Sequence, residues 1–145
     1  MFTKKTKIYL AGFLDGDGSI YVRIKPNSTY KYGFQIAPYV VFFQSQKEEI
    51  KFKKICNLIP FGHLRIRKDG IIEHIIGKND EIIEFLKEIK PFLILKKEQA
   101  NLMIKILEKK KRIKSKKDFE KVFLLIDSFR ELNYSKKRKK HILTP

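Results

Sequence analysis

The chain has 145 residues, enough for one domain with one hydrophobic core. Hydrophobic residues make up 43%, which excludes a disordered chain, and a single cysteine, Cys56, excludes an internal disulfide framework. A formal net charge of +17, clustered along the chain, points to a polyanionic partner, against the plainer reading of a lysine-rich solvated surface. No apolar run approaches the ~18–20 residues of a membrane span, so no membrane partner is expected. Residues 1–7 are charged with no apolar signal region behind them, so an intracellular location is expected, with Cys56 reduced and in the core.

Thr6 is the expected N-cap of a helix over residues 7–15. Ile8, Leu10, Ala11 and Leu14 share helical periodicity, while Phe13 lies on another side. A helix apolar on more than one side needs two packing partners: its own core, and as a candidate for the other a second copy of itself meeting through Ala11 and Gly12. Gly16 and Gly18 are expected to end this helix. Ile20, Val22 and Ile24 then alternate with Tyr21, Arg23 and Lys25, predicting a strand with one apolar and one basic, aromatic face. Residues 26–29 read as a turn, and 33–46 as a second strand in which Pro38 marks a bulge or an edge. Residues 47–58 read as a helix with Ile50, Ile55, Leu58 and Phe52 inward, broken by Pro60-Phe61-Gly62.

Residues 63–67 and 71–77 form a predicted hairpin around Lys68-Asp69-Gly70, with Arg65 and Arg67 on one face and Leu64 and Ile66 on the other. Asn79 or Asp80 should cap a helix running to residue 90, which Pro91 ends. Residues 95–111 read as a helix burying Leu95, Leu102, Met103, Ile106 and Leu107. Ser115 caps a last helix over 116–132 that buries Phe119, Val122, Phe123, Ile126 and Phe129. The order α-β-β-α-β-β-α followed by two helices predicts an α+β fold: an antiparallel sheet with helices on one face and a basic face left open. Residues 1–133 make the single domain, and 134–145 a basic C-terminal segment.

Alternating arginines and lysines on strands can enter a major groove, Arg23, Arg65 and Arg67 reading guanines and Lys25 doing the same or meeting phosphates. An ordinary wet sheet face is the plain alternative. Lys109, Lys110, Lys111, Arg112, Lys114, Lys116 and Lys117, and the run at 136–140, suit phosphate contacts. The last run also fits a nuclear-import signal, and a solvated face accounts for either cluster. Asp15 and Asp17 sit near a helix C-terminus, where the dipole disfavours negative charge. Two acids there call for a hard divalent cation, or else the segment is only a Gly-Asp turn. His63, His74 and His141 are scattered without metal-ligand spacing.

Leu10-Ala11-Gly12-Phe13-Leu14-Asp15-Gly16-Asp17-Gly18-Ser19 resembles the signature of the LAGLIDADG homing endonucleases, in the single-motif branch that works as a homodimer. Ile24-Lys25-Pro26-Asn27, Gln46-Lys47, Pro91-Phe92-Leu93, Leu95-Lys96, Gln99-Ala100-Asn101-Leu102, Leu132-Asn133, Ser135-Lys136 and Arg138-Lys139 extend the likeness over nearly the whole chain.

The resemblance implies a site-specific double-strand DNA endonuclease with an active site at a dimer axis. Asp17 would hold the metal together with the Gly16 carbonyl, and Gln46 and Lys96 would order the catalytic water. Asp15 would be structural. Leu10, Ala11, Gly12 and Phe13 would pack the two signature helices. Arg23, Lys25, Asn27, Thr29, Tyr30, Arg65 and Arg67 fall on DNA-contacting positions, and Ser135, Lys136, Lys139 and Lys140 on a phosphate-contacting segment. The branch's second basic residue beside the site falls on Ile50, with Lys47, Lys51 or Lys53 as candidate replacements. The implied cofactor is Mg²⁺, with Mn²⁺ able to substitute, and no small-molecule cofactor. The implied product has 3′ overhangs, and the gene would lie in an intron. An RNA-binding maturase and a non-catalytic DNA-binding protein on the same scaffold are the rival readings.

Overall fold

The computed structural model describes residues 2–133; Ser135, Lys136, Lys139 and Lys140 lie outside them. Five helices and four strands follow one another as α1 (Lys4–Asp17), β1 (Gly18–Pro26), β2 (Phe34–Ser45), α2 (Glu49–Cys56), β3 (His63–Ile66), β4 (Ile71–Ile76), α3 (Asn79–Ile89), α4 (Lys97–Lys110) and α5 (Lys116–Leu132). The strands form one antiparallel sheet in the order β1-β2-β4-β3. This is the α+β arrangement that the periodicity predicts.

Alternation decides which side of the sheet meets the helices. Ile20, Val22 and Ile24 of β1, with Phe34, Ile36, Val40 and Phe42 of β2, are buried against them. Phe42 sits at the centre, with Phe13 at 5.7 Å and Phe85 at 5.9 Å between ring centroids. Burying a side chain of this size contributes about 1.5–3 kcal/mol. The α5 stripe of Phe119, Val122, Phe123, Ile126 and Phe129 is buried in full, as its spacing predicts, and Phe34 packs edge-on to Phe123. Pro38 pairs with Val22 in an unbroken register, and β4 pairs with β2 only from Val40 onward. Pro38 therefore marks an edge position, not a bulge. Gly70, at φ +84°, supplies the left-handed residue that the β3–β4 turn requires.

Several local expectations are corrected. Thr3, not Thr6, caps α1; its side chain accepts from the Thr6 backbone N–H. The helix runs through Gly16 and ends at Asp17, and extended Gly18 passes directly into β1. A Cβ at Gly18 would lie 2.8 Å from the Leu14 carbonyl oxygen, so the helix-to-strand junction needs the missing side chain. A 3-10 turn, Gln46–Glu48, precedes α2, which buries Phe52 and Cys56. Ile50 is 78% exposed, Leu58 is exposed and Ile55 half-buried, so the predicted inward face is rotated. Lys78 occupies the N-cap of α3. A second 3-10 turn, Lys90–Phe92, leads to a corner that leaves Leu95 outside α4 and 66% exposed. β3 stops at Ile66, and its inward Leu64 and Ile66 remain exposed because no helix extends over this edge strand.

Candidate active site and nucleic-acid interface

The two carboxylates of the signature helix have opposite circumstances. Asp15 is engaged on both oxygens: Oδ2 accepts from the Ile94 N–H at 2.8 Å, and Oδ1 from the Lys96 N–H at 3.0 Å. Lys96 replies through Nζ, which donates to the Asp15 carbonyl at 3.0 Å. Each group thus serves the other's helix end. Asp15 supplies acceptors just ahead of α4, whose N-cap Lys96 makes no side-chain cap of its own, and the ammonium of Lys96 meets a terminal carbonyl of α1. Asp15 is structural, as the motif's first acid is expected to be. The Asp17 side chain is exposed and makes no hydrogen bond or ion pair among the described residues. Gly16 beside it is exposed as well.

A cleft of about 590 Å³ opens beside this helix end. Its lining runs from Asp15, Gly16 and Lys96 to Arg23, Phe43 and Arg67 on the outward sheet face. The cleft therefore joins the end of α1 to the basic surface. Gln99 and Asn133 close its helical side. Gln99 is buried and donates through Nε2 to the Leu132 carbonyl and to Asn133 Oδ1, both at 2.9 Å, which ties the end of α5 to the start of α4.

Gln46 makes no hydrogen bond to Asp17 among the described residues. Its backbone N–H donates to the Gly70 carbonyl at 2.8 Å, and its side chain is exposed in the turn after β2. Of the possible replacements for the basic residue at Ile50, Lys51 pairs with Glu48 at 3.4 Å and Lys53 with Glu49 at 2.9 Å. Lys47, next to Gln46, is exposed with no ion pair among the described residues.

The packing residues are also corrected. Leu10 and Ala11 have 0% accessible surface within the single chain, so they belong to its own core and have nothing left for a seam. Phe13 is half-buried against Phe42 and Phe52. The outward stripe of α1 consists of Ile8, Tyr9, Gly12 and Gly16. A Cβ at Gly12 or Gly16 would meet nothing within 4 Å among the described residues.

On the open sheet face Tyr21, Arg23 and Lys25 of β1 point outward. Arg23 lies 5.5 Å from the Tyr21 ring centroid, and Lys25 5.9 Å from that of Tyr39. Arg65 is exposed directly across from Glu73. Arg67 departs from expectation: it lies past the end of β3, half-buried, with Nη1 on Glu73 at 3.2 Å and Nη2 on Asp69 at 2.5 Å. Two acids hold it, so it is not a free guanine reader. In the β1–β2 turn, Asn27 Oδ1 accepts from the Thr29 N–H and hydroxyl at 3.0 and 2.7 Å, while Tyr30 is exposed. The basic cluster at the end of α4 is partly committed. Lys110 Nζ donates to the Ile36 carbonyl at 3.0 Å, where burial lowers its pKa, and Lys111 pairs with Asp80.

Residues 10–93 match the family model described as LAGLIDADG endonuclease. The chain belongs to this family. It is 38% identical over 141 residues to DNA endonuclease I-CreI of Chlamydomonas reinhardtii, covering 95% of this chain and 85% of that one. It is 30% identical to DNA endonuclease I-CvuI of Chlorella vulgaris, over 90% of this chain and 81% of the relative. The solved structure of I-CvuI on the I-CreI target with 2 mM Mg, its DNA uncleaved, superposes with a TM-score of 0.88 over 94% of this chain and 87% of that one, at 29% identity. The archaeal intron-encoded I-Vdi141I bound to DNA shares the fold at a TM-score of 0.82 and 19% identity, over 96% and 90% of the two chains.

In this LAGLIDADG protein three features lay beyond the sequence reading. Glu73 on the open face had a signal, since alternation through 71–77 puts it on the side of Arg65. The Gln99–Asn133 tie had none, because it links side chains on two helices. His74 faces inward with Nε2 2.7 Å from the Phe61 carbonyl and Nδ1 buried without a partner among the described residues; burial lowers its pKa.

Proposed function

We propose that this LAGLIDADG protein is a homodimeric, site-specific double-strand DNA endonuclease that hydrolyses phosphodiesters with Mg²⁺. The observation that carries the reading is the division of labour at the end of α1. Asp15 is consumed in holding Lys96, while the Asp17 carboxylate is exposed and unpartnered among the described residues, between Gly16 and Gly18, which line a cleft continuous with the basic sheet.

The donor set suits a hard cation. The Asp17 carboxylate and the Gly16 carbonyl are oxygen ligands, the type Mg²⁺ takes alongside waters and phosphate oxygens. Bound there, such an ion supplies Lewis-acid stabilisation of a phosphoryl group and a lowered water pKa. Among the described residues no group of three His, Cys, Asp or Glu is placed to hold a metal, so one chain is only part of a site. A second copy and the DNA phosphates complete it in this reading. Lys96 holds positive charge at the helix end, and Gln46 and Lys47 present exposed polar side chains for ordering water.

Gly12 and Gly16 support the second copy. A helical glycine costs about 1 kcal/mol relative to alanine. Nothing among the described residues occupies the space a Cβ would take. Glycines retained there fit the close approach of another backbone, with the exposed Ile8 and Tyr9 completing the contact. A two-fold dimer implies a long pseudo-palindromic target. Staggered cuts with 3′ overhangs, Mn²⁺ as substitute, an intron-borne gene and an intracellular setting belong to the same proposal.

The test is incubation with the uninterrupted insertion site in Mg²⁺. Specific cutting on both strands is expected, abolished in Asp17→Asn with DNA binding retained. Binding without cutting by the unaltered protein would favour the non-catalytic reading. Preferential binding of the intron RNA would favour the maturase.

A further inference from the structure

The open face of the sheet is chemically divided. Its basic groups stand on the two outer strands, Arg23 and Lys25 on β1 and Arg65 on β3, while Glu73 on the inner strand β4 is buried and paired with Arg67. Between Gln35 and Ser45, the central strand β2 instead turns outward Ala37, Tyr39, Val41 and Phe43. The register sets Ala37 opposite Arg23, Tyr39 opposite Tyr21, Val41 opposite Ser19 and Ile75, and Phe43 opposite Glu73.

Val41 has no accessible surface and Ala37 only 6%, so what a groove meets there is the half-buried rings of Tyr39 and Phe43. Tyr21 stacks on Tyr39 with centroids 5.0 Å apart. The Tyr39 hydroxyl accepts from Lys25 Nζ at 3.4 Å, and Glu73 is taken up by Arg67. The centre of the face therefore offers carbon, with neither an amide nor a free guanidinium.

In the major groove each base pair shows its own donor and acceptor pattern, and the one apolar mark is the 5-methyl group of thymine. We infer that β2 reads thymine, Tyr39 and Phe43 taking C5-methyl groups in each half-site. Arg23, Lys25 and Arg65 then read guanines or hold phosphates on either side. The substrate class is a duplex whose half-sites carry T·A pairs beneath β2 with G·C pairs beside them. The inference rests on the DNA-endonuclease reading and gives that reading its specificity. An aromatic surface also suits a protein partner, but guanidinium and ammonium groups flanking it in a chain of charge +17 favour DNA.

The full-length protein in Ca²⁺ selects from duplexes with randomised half-sites. The winning duplex is remade with deoxyuridine at each thymine in turn, which removes only the methyl group. Uracil at thymines beneath β2 should weaken binding about fourfold each, the equivalent of one buried methyl. Phe43→Gln and Tyr39→Gln should abolish that methyl dependence at their own positions, with the salt slope unchanged because phosphate contacts persist. A winning duplex that responds less than about twofold to every uracil overturns the inference and leaves DNA binding standing. So does a methyl response that both variants leave intact. Failure to enrich any duplex overturns the DNA reading and this inference together. Should either variant fail to fold by circular dichroism, the uracil series on the unaltered protein decides alone.

Discussion

Separate replacement of Asp15 and Asp17 by asparagine should pull folding and chemistry apart. Asp15 accepts two backbone N–H groups, at 2.8 and 3.0 Å, through its two oxygens. Asparagine offers one carbonyl oxygen and turns an NH₂ group toward the other donor. Hydrogen bonds to a charged acceptor contribute roughly 1.5–3 kcal/mol each. Losing one, weakening the other and allowing for solvent screening destabilises by about 2–3 kcal/mol. For a chain of this size about 1 kcal/mol moves Tm by roughly 2–4 °C, so Asp15→Asn should melt on the order of 5–10 °C lower.

Asp17 makes no such bonds and sits at a helix C-terminus. Neutralising it removes an unfavourable dipole interaction of about 0.3–1 kcal/mol, so Asp17→Asn should melt level with the unaltered protein or about 1–3 °C higher. It should nonetheless cut no DNA. The assay pairs thermal melts by circular dichroism with plasmid cleavage in Mg²⁺. Protein concentration is fixed, because association makes Tm concentration-dependent. An Asp17→Asn protein that melts as low as Asp15→Asn, or an Asp15→Asn protein that melts with the unaltered chain, would refute the division of roles.

Two further outcomes follow from other parts of the molecule. His74 has its pKa lowered by burial, so between its folded pKa and the ordinary value near 6.5 the unfolded chain binds more protons. Its contribution is full above about pH 6.5 and is lost as pH falls below it, with a limiting slope of about 1.4 kcal/mol per pH unit. Denaturant titrations from pH 7 to 5 should show this loss, and His74→Gln should flatten it; an unchanged slope in the variant would assign the effect elsewhere. Gly12→Val should keep the monomer fold, since a Cβ at this position meets nothing among the described residues, yet reduce both dimer content by sedimentation and DNA cleavage. A fully dimeric, active Gly12→Val protein would exclude the α1 seam.

The order of elements was legible because each long segment repeats its apolar residues at the period of one structure. Five phenylalanine and aliphatic positions on α5, and the strict alternation of β1, survive any tertiary arrangement. Where the outcome depends on what lies opposite, local pattern failed. Ile50 and Phe52 are equally apolar, but only Phe52 finds Phe13 and the sheet beneath it. Leu95 carries helical spacing, yet Asp15 captures the N–H of Lys96 and holds the chain in a corner.

The sequence by itself determined that a basic α+β chain would carry an acidic helix end beside a strand of alternating arginine and lysine. Charge, periodicity and the glycine-spaced acids are local properties and need no fold to be seen. Only the tertiary structure decided which residues remain available for work. Contacts between segments far apart in the chain engage Asp15, while among the described residues the Asp17 carboxylate is left without a partner. They withdraw Leu10 and Ala11 into the core while exposing Gly12, and turn the rings of Tyr39 and Phe43 outward between two charged strands. Arg67 shows the same principle over a shorter span: a hairpin brings Glu73 and Asp69 around a guanidinium that the strand pattern alone presents as free.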